Sequence, residues 1–330
     1  MNRLIALALA SLCACANEHA PTPAPTVTAS GSGSATAAPT AKVTTKPAPT
    51  YATAMAAYDK KDYASCATQF DALATTVTAA HRKRDMMYSA ACCQAMGKQL
   101  DQAFATLDAA VAIGFTDVAQ VDKDTDLANL RGDPRWQPFH YRIVAKQVAI
   151  ENALTKPALR KELLAMVDKD QEALMARVKA NKDGDHARAD ALMPKIDEVV
   201  KQHTARLRAI VERDGWPAHS MVGEDGAHAA WLLVQHADKD LALQKQALAL
   251  MKPLVDQDEV GKVDYAYLED RIAVAEKRPQ RYGTQFGPDR EPQPIEDEAH
   301  VDERRTAIGM STMAEYRAQM TQMYGPPPAK

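Results

Sequence analysis

The sequence predicts an all-α chain: helical hairpins first, then a helical domain with long irregular loops. Three observations carry that expectation. Apolar residues recur at helical spacing, as Leu159, Leu163, Met166, Ala173 and Val178 do in one long stretch. Ile196, Val199, Val200, Leu207, Ile210 and Val211 repeat the pattern in the next, which ends at Gly215. Short polar breaks, at 59–62 (DKKD) and at Gly97-Lys98, divide the earlier part into helix pairs.

The chain opens with MNRLIALALASLCAC, in which Arg3 supplies a positive start and residues 4–12 a short apolar run. A bilayer-spanning helix takes about 20 apolar residues, so the run reads as part of a secretory signal. Leu12-Cys13-Ala14-Cys15 resembles a bacterial lipobox, which implies lipidation at Cys15. Ala16 after that cysteine implies sorting to the outer membrane, facing the periplasm or the cell surface. Several acyl tails anchor stably where a single one is marginal. Residues 16–50 are rich in Ala, Pro, Thr, Ser and Gly and bury too little apolar surface to offset ordering, so they read as a tether. The net charge of −3 gives no basic field for nucleic acid.

Residues 51–148 read as the hairpin domain. Lys61 and Gly97 stand 36 positions apart, near the 34-residue period of tetratricopeptide repeats. Small residues at Ala54, Cys66, Ala90 and Ala103 would let paired helices approach, and Tyr63, Phe70, Phe104 and Leu107 would fill the gaps. These stretches resemble tetratricopeptide units, which implies a protein partner. The tail GFTDVAQVDKDTDLANLRGDPRWQPF resembles the segment that closes such arrays, with a further helix expected from Asp133. Cys66 falls where the first unit should meet the helix bearing Cys92 and Cys93, so a bridge from Cys66 to either is expected in an oxidising compartment. Three small buried thiols are the plainer alternative.

Residues 151–320 form the second expected domain. Asp170, Asp197 and His203 lie on its long helices, where most carboxylates are solvated. Trp216-Pro217 marks a turn, after which Trp231, Gln235 and Asp238 should share a helix face, with His236 at the helix end where the dipole favours a cation. Tyr267, Asp270 and Arg271 fall on a later helix. Gln280, Tyr282, Gly283, Thr284 and Gln285 follow it, Gly283 allowing the positive φ that would turn Tyr282 and Gln285 back toward Trp231 and Gln235. Glu296, Asp297, Asp302, Arg304 and Arg305 read as a charged stretch packed across the surface.

GWP, WLLVQHAD, YLEDRIAV, QRYGTQ and PIEDEAHVDERRTAIGM together resemble a bacterial family catalogued only as a domain of unknown function, over about residues 155–318. The resemblance implies a helical fold and no particular activity.

Three roles suit these residues. Trp216, Trp231, Gln235, Gln280, Tyr282 and Gln285 could line a pocket for a polar ligand or peptide. Alternatively, His236 could act as a general base in a hydrolase, oriented by Asp238 or Asp270, with Arg271 holding an anion. In the third, the polar groups are structural and hydrogen-bond loop backbone. His219, His228 and His236 lack a metal-ligand spacing, so neither metal nor cofactor is expected. The reading adopted is a membrane-anchored scaffold or binding protein.

Overall fold

A computed structural model describes residues 49–77 and 80–324. The expected signal, Cys15 and nearly all of the tether lie outside the described residues. Helix follows helix, and among the described residues β-pairing is confined to isolated bridges, Gln280 with Ile295 and Phe286 with Pro292. No described helix is long and apolar enough to cross a membrane.

The first hairpin is α1 (Tyr51–Asp59) and α2 (Tyr63–Thr76). The second is α3 (Ala80–Met96) and α4 (Leu100–Ala112). Their turns are built alike. Lys61 and Lys98 take positive φ, 60° and 59°. Asp62 N–H then returns to Ala57 O at 2.9 Å, and Gln99 N–H to Gln94 O at 2.8 Å. Such closures satisfy carbonyls left over at a helix end. Ala54, Cys66, Ala90 and Ala103 are fully buried at the seams. Cys66 on α2 is joined to Cys93 on α3 as a disulfide, while Cys92 is a buried free thiol.

Next come α5 (Val118–Lys123), a 3-10 turn (Thr125–Leu127), α6 (Ala128–Arg131) and α7 (Trp136–Ala153). The helix expected from Asp133 starts three residues later. Asp133 instead accepts the Arg135 N–H at 2.9 Å and its guanidinium at 2.9 and 2.8 Å, which holds a turn ahead of α7. Leu127, Leu130, Phe139 and Ile143 pack with Phe104 and Leu107 in one buried cluster.

The remaining helices are α8 (Pro157–Lys182), α9 (His186–Ala191), α10 (Met193–Asp214), α11 (His219–Gln235), α12 (Leu241–Val255) and α13 (Lys262–Ala275). After a long loop come α14 (Val301–Ala307) and α15 (Met313–Tyr324). The periodicity suggested one helix from His186 to the Gly215 stop. The chain breaks it at Leu192, ahead of Pro194, which has no N–H to continue the ladder and is tolerated only in a first turn. Gly223 (φ 75°, ψ 166°) kinks α11 near its start. Leu163, Leu207, Ile210, Trp231, Leu232 and Leu268 share a second core. Arg160, buried on α8, ties this core to α7. It donates to Glu151 at 2.8 Å and to both carboxylate oxygens of Asp225.

Candidate functional site

Asp270 is the centre of the polar cluster. It lies on the inner face of α13 with no solvent exposure, and four donors from the following loop converge on its carboxylate. Arg281 N–H reaches Oδ1 at 2.7 Å and Tyr282 N–H at 3.0 Å. Thr284 N–H and its hydroxyl reach Oδ2 at 3.0 and 2.9 Å. Burial still holds this carboxyl above its ordinary pKa, against the pull of those donors.

Gln280 closes the loop from the other side. Its amide N–H donates to the carbonyls of Gln285 (2.9 Å) and Gln293 (2.8 Å), and its oxygen accepts from Gln285 N–H at 2.8 Å. Gly283 takes the expected positive φ, 70°. A Cβ there would meet Met313 Sδ at 2.6 Å, so the turn needs glycine for space as well as for backbone angle.

The bend does not bring Tyr282 and Gln285 onto Trp231 and Gln235. Gln285 instead accepts from Arg271 at 3.3 Å and donates to Thr284 Oγ1 at 3.0 Å. Arg271 grips Asp238 with two bonds, at 2.7 and 2.8 Å. Tyr282 is half-buried beside the Arg281 guanidinium. Gln235, fully buried, accepts from Trp231 Nε1 and Leu268 N–H in the amide orientation that matches donors to acceptors. Trp216 is buried in the helical core. Gln235, Gln280 and Gln285 thus bond neighbouring backbone and side chains, the geometry of the structural role, whereas Trp216 Nε1 has no hydrogen-bond partner among the described residues. In the charged stretch Glu296, Asp297 and Asp302 are exposed as expected, and Arg305 is the departure. Arg305 is 1% exposed, lies over the Tyr316 ring and donates to the Tyr282 and Ser311 carbonyls.

His236 caps α11 as expected, but neither Asp238 nor Asp270 orients it. Its Nδ1 pairs with Asp170 of α8, and His203 of α10 approaches the same carboxylate at 3.6 Å. Asp238 sits past the helix end and is taken by Arg271. Asp170 is 2% exposed, contrary to the solvated reading. Burial pushes its carboxyl up, and the two imidazoles outweigh this and bring it down to about 2. An imidazole oriented by a carboxylate is the pairing a general base uses, though here both partners are enclosed.

A family model described as a family of unknown function, DUF6624, matches residues 157–327. The chain belongs to that family. No curated protein and no solved structure matches the chain. The DUF6624 region thus holds α8 to α15, the Asp270 loop and the Asp170–His236 pair.

Two further features have no warning in the sequence. Where the hairpins meet the DUF6624 helices, His228 of α11 stacks on Trp231 at 4.8 Å and binds Asp264 of α13 through Nδ1 at 3.0 Å. Asp85 of α3 faces it across the junction, next to the Arg84–Glu224 ion pair. Burial raises the Asp85 carboxyl to about 6, despite Arg84, His228 and Arg82. Outside the family region, α2, α3 and α4 enclose a groove of about 390 Å³, lined by Thr68, Asp71, Gln94, Gln99, Gln102 and Thr106 with small alanines between. Gln94 is 4% exposed and donates to Asp71 at 3.2 Å, but its Oε1 has no hydrogen-bond partner among the described residues.

Proposed function

We propose that this protein is an outer-membrane-anchored scaffold whose hairpins bind an extended segment of a protein partner. In this reading Cys15 carries the lipid and the tether (16–50) holds the folded part off the membrane. Residues 51–148 act as a tetratricopeptide-like domain, and the second domain (151–320), which overlaps the DUF6624 match, braces it. The observation that carries the reading is the Gln94 amide. A buried acceptor without a donor costs about 1–3 kcal/mol, which a ligand N–H would offset. Gln99 and Gln102 add donors and acceptors along the groove, and Ala64, Ala67 and Ala105 leave room for a chain to lie close. The polar groups of the DUF6624 domain support the same division of labour, because Asp270, Gln280 and Gln285 are already engaged within the loop.

The test is a library of extended peptides panned against the purified full chain. Enriched peptides should lose binding at least tenfold in Ala105→Trp, an exposed lining position whose indole would fill the groove, with the melting temperature retained. A library that yields no such peptide, or peptides indifferent to the substitution, overturns the reading.

A further inference from the structure

A thiol and two carboxylates meet beneath the turn that closes the hairpin region. Cys92 Sγ on α3 and carboxylate oxygens of Asp124 and Asp126 lie within 4.8 Å of one another, and all three residues are buried. Long separation in the chain hides the group from any spacing rule. What assembles it is the sharp turn after α5, where Asp126 N–H donates to Asp124 Oδ1 at 3.0 Å. Arg131 fixes that turn by donating to the carbonyls of Val121, Asp122 and Asp124.

Outer partners hold each carboxylate in place. Tyr88 OH donates to Asp124 Oδ2 and Tyr58 OH to Asp126 Oδ1, each at 2.9 Å. Groups of this kind orient metal ligands from behind. A second observation points to a ligand. Asp126 is 7% exposed, and its Oδ2 meets no hydrogen-bond donor among the described residues. Two adjacent carboxylates in an enclosed space repel each other, and a cation between them removes that repulsion. Cys92 adds a third indication. It stays a thiol beside Cys93, which is already bridged to Cys66.

We propose that Cys92, Asp124 and Asp126 bind a divalent transition-metal ion with zinc-like preferences. A thiolate ligand selects borderline and soft ions over magnesium and calcium. Three protein ligands leave a fourth tetrahedral position for water or a phenol oxygen. On binding, the Cys92 thiol releases its proton to solvent and the Sγ–metal bond forms. The ion's two positive charges offset two of the three negative charges then present. The bound ion cross-ties α3 to the closing turn, so its effect is structural.

The experiment strips the full-length chain, disulfide intact, with a chelator and titrates it with Co²⁺ as a visible stand-in. The expected result is one equivalent bound, with a thiolate-to-cobalt charge-transfer band that Zn²⁺ displaces. Zn²⁺ should also raise the melting temperature. Cys92→Ser should abolish the band, and Asp126→Asn should weaken Co²⁺ binding at least tenfold, with helical circular dichroism retained. A chain that gives no band overturns the proposal. So does a band that survives Cys92→Ser, since Cys13 and Cys15 remain in that variant. Should Cys92→Ser fail to fold, unchanged Co²⁺ affinity in Asp126→Asn is equally decisive against it.

Discussion

Asp270 and Gln94 are both buried polar residues on helices that face a neighbouring element, yet their surroundings differ. Asp270 receives four hydrogen bonds from one loop. Gln94 keeps one, to Asp71, and leaves its oxygen unmatched beside a groove. Buried polarity in this chain is therefore of two kinds. A group saturated by its own chain holds shape, and removing it damages the fold. A group left unsaturated has less to lose on the same scale, and its remaining hydrogen-bonding capacity is what the proposed peptide would use.

The largest effect is expected for Asp270→Ala. Three backbone N–H groups and a hydroxyl would lose their acceptor in a dry site, so the loss should be about 3–5 kcal/mol. That is a large part of the stability of an ordinary domain. Chemical denaturation should show the loss, and hydrogen exchange should place it in the 279–296 loop. A loss under about 1 kcal/mol would mean that the loop is held by something else.

The helices were legible because their signal is local. A stripe such as Leu159, Leu163 and Met166 encodes its own helix, and Gly283 announces a positive φ by lacking a side chain. Pairing across distance was not legible. Asp170 and His236 stand far apart in the chain, and only the packing of α8 on α11 joins them. Arg305 read as surface charge because its neighbours are charged. Its burial depends on Tyr316, on a helix beyond the next turn. The Gln and Tyr residues stand out in the sequence, but sequence alone does not say whether their polar groups face a ligand or a backbone.

Asp170→Asn should reveal its effect through acid titration. The folded carboxyl sits at about 2 against an ordinary 3.8, so its stabilisation is full above the ordinary value and lost as pH falls toward 2. Replacing it should cost about 2 kcal/mol at neutral pH and progressively less below pH 4. Denaturation curves of both proteins across that range measure the difference. Equal losses at pH 7 and pH 2.5 would contradict the imidazole pairing.

Asp85→Asn should act in the opposite direction. Its folded carboxyl is raised to about 6, so between pH 4 and 6 the folded state holds a proton that the unfolded state has released. Stability therefore falls as pH rises through that window. The asparagine variant should be more stable than the parent at pH 7, by on the order of 1 kcal/mol after allowance for solvent screening, and equal to it near pH 4. Melting temperatures at the two pH values decide it.

Gln94→Leu carries the smallest expected effect on stability and tests the comparison most directly. Leucine removes an oxygen that has no donor and a single hydrogen bond to the Asp71 carboxylate, whose pKa desolvation already raises. Losing one such bond costs about 1 kcal/mol, and relief of the unmatched oxygen returns a similar amount. The net change should fall within about 0.5 kcal/mol of zero, while affinity for a groove-binding peptide drops at least tenfold. A destabilisation above 2 kcal/mol, read from chemical denaturation, would place Gln94 with Asp270 as a support of the fold, and the contrast between the two regions would go.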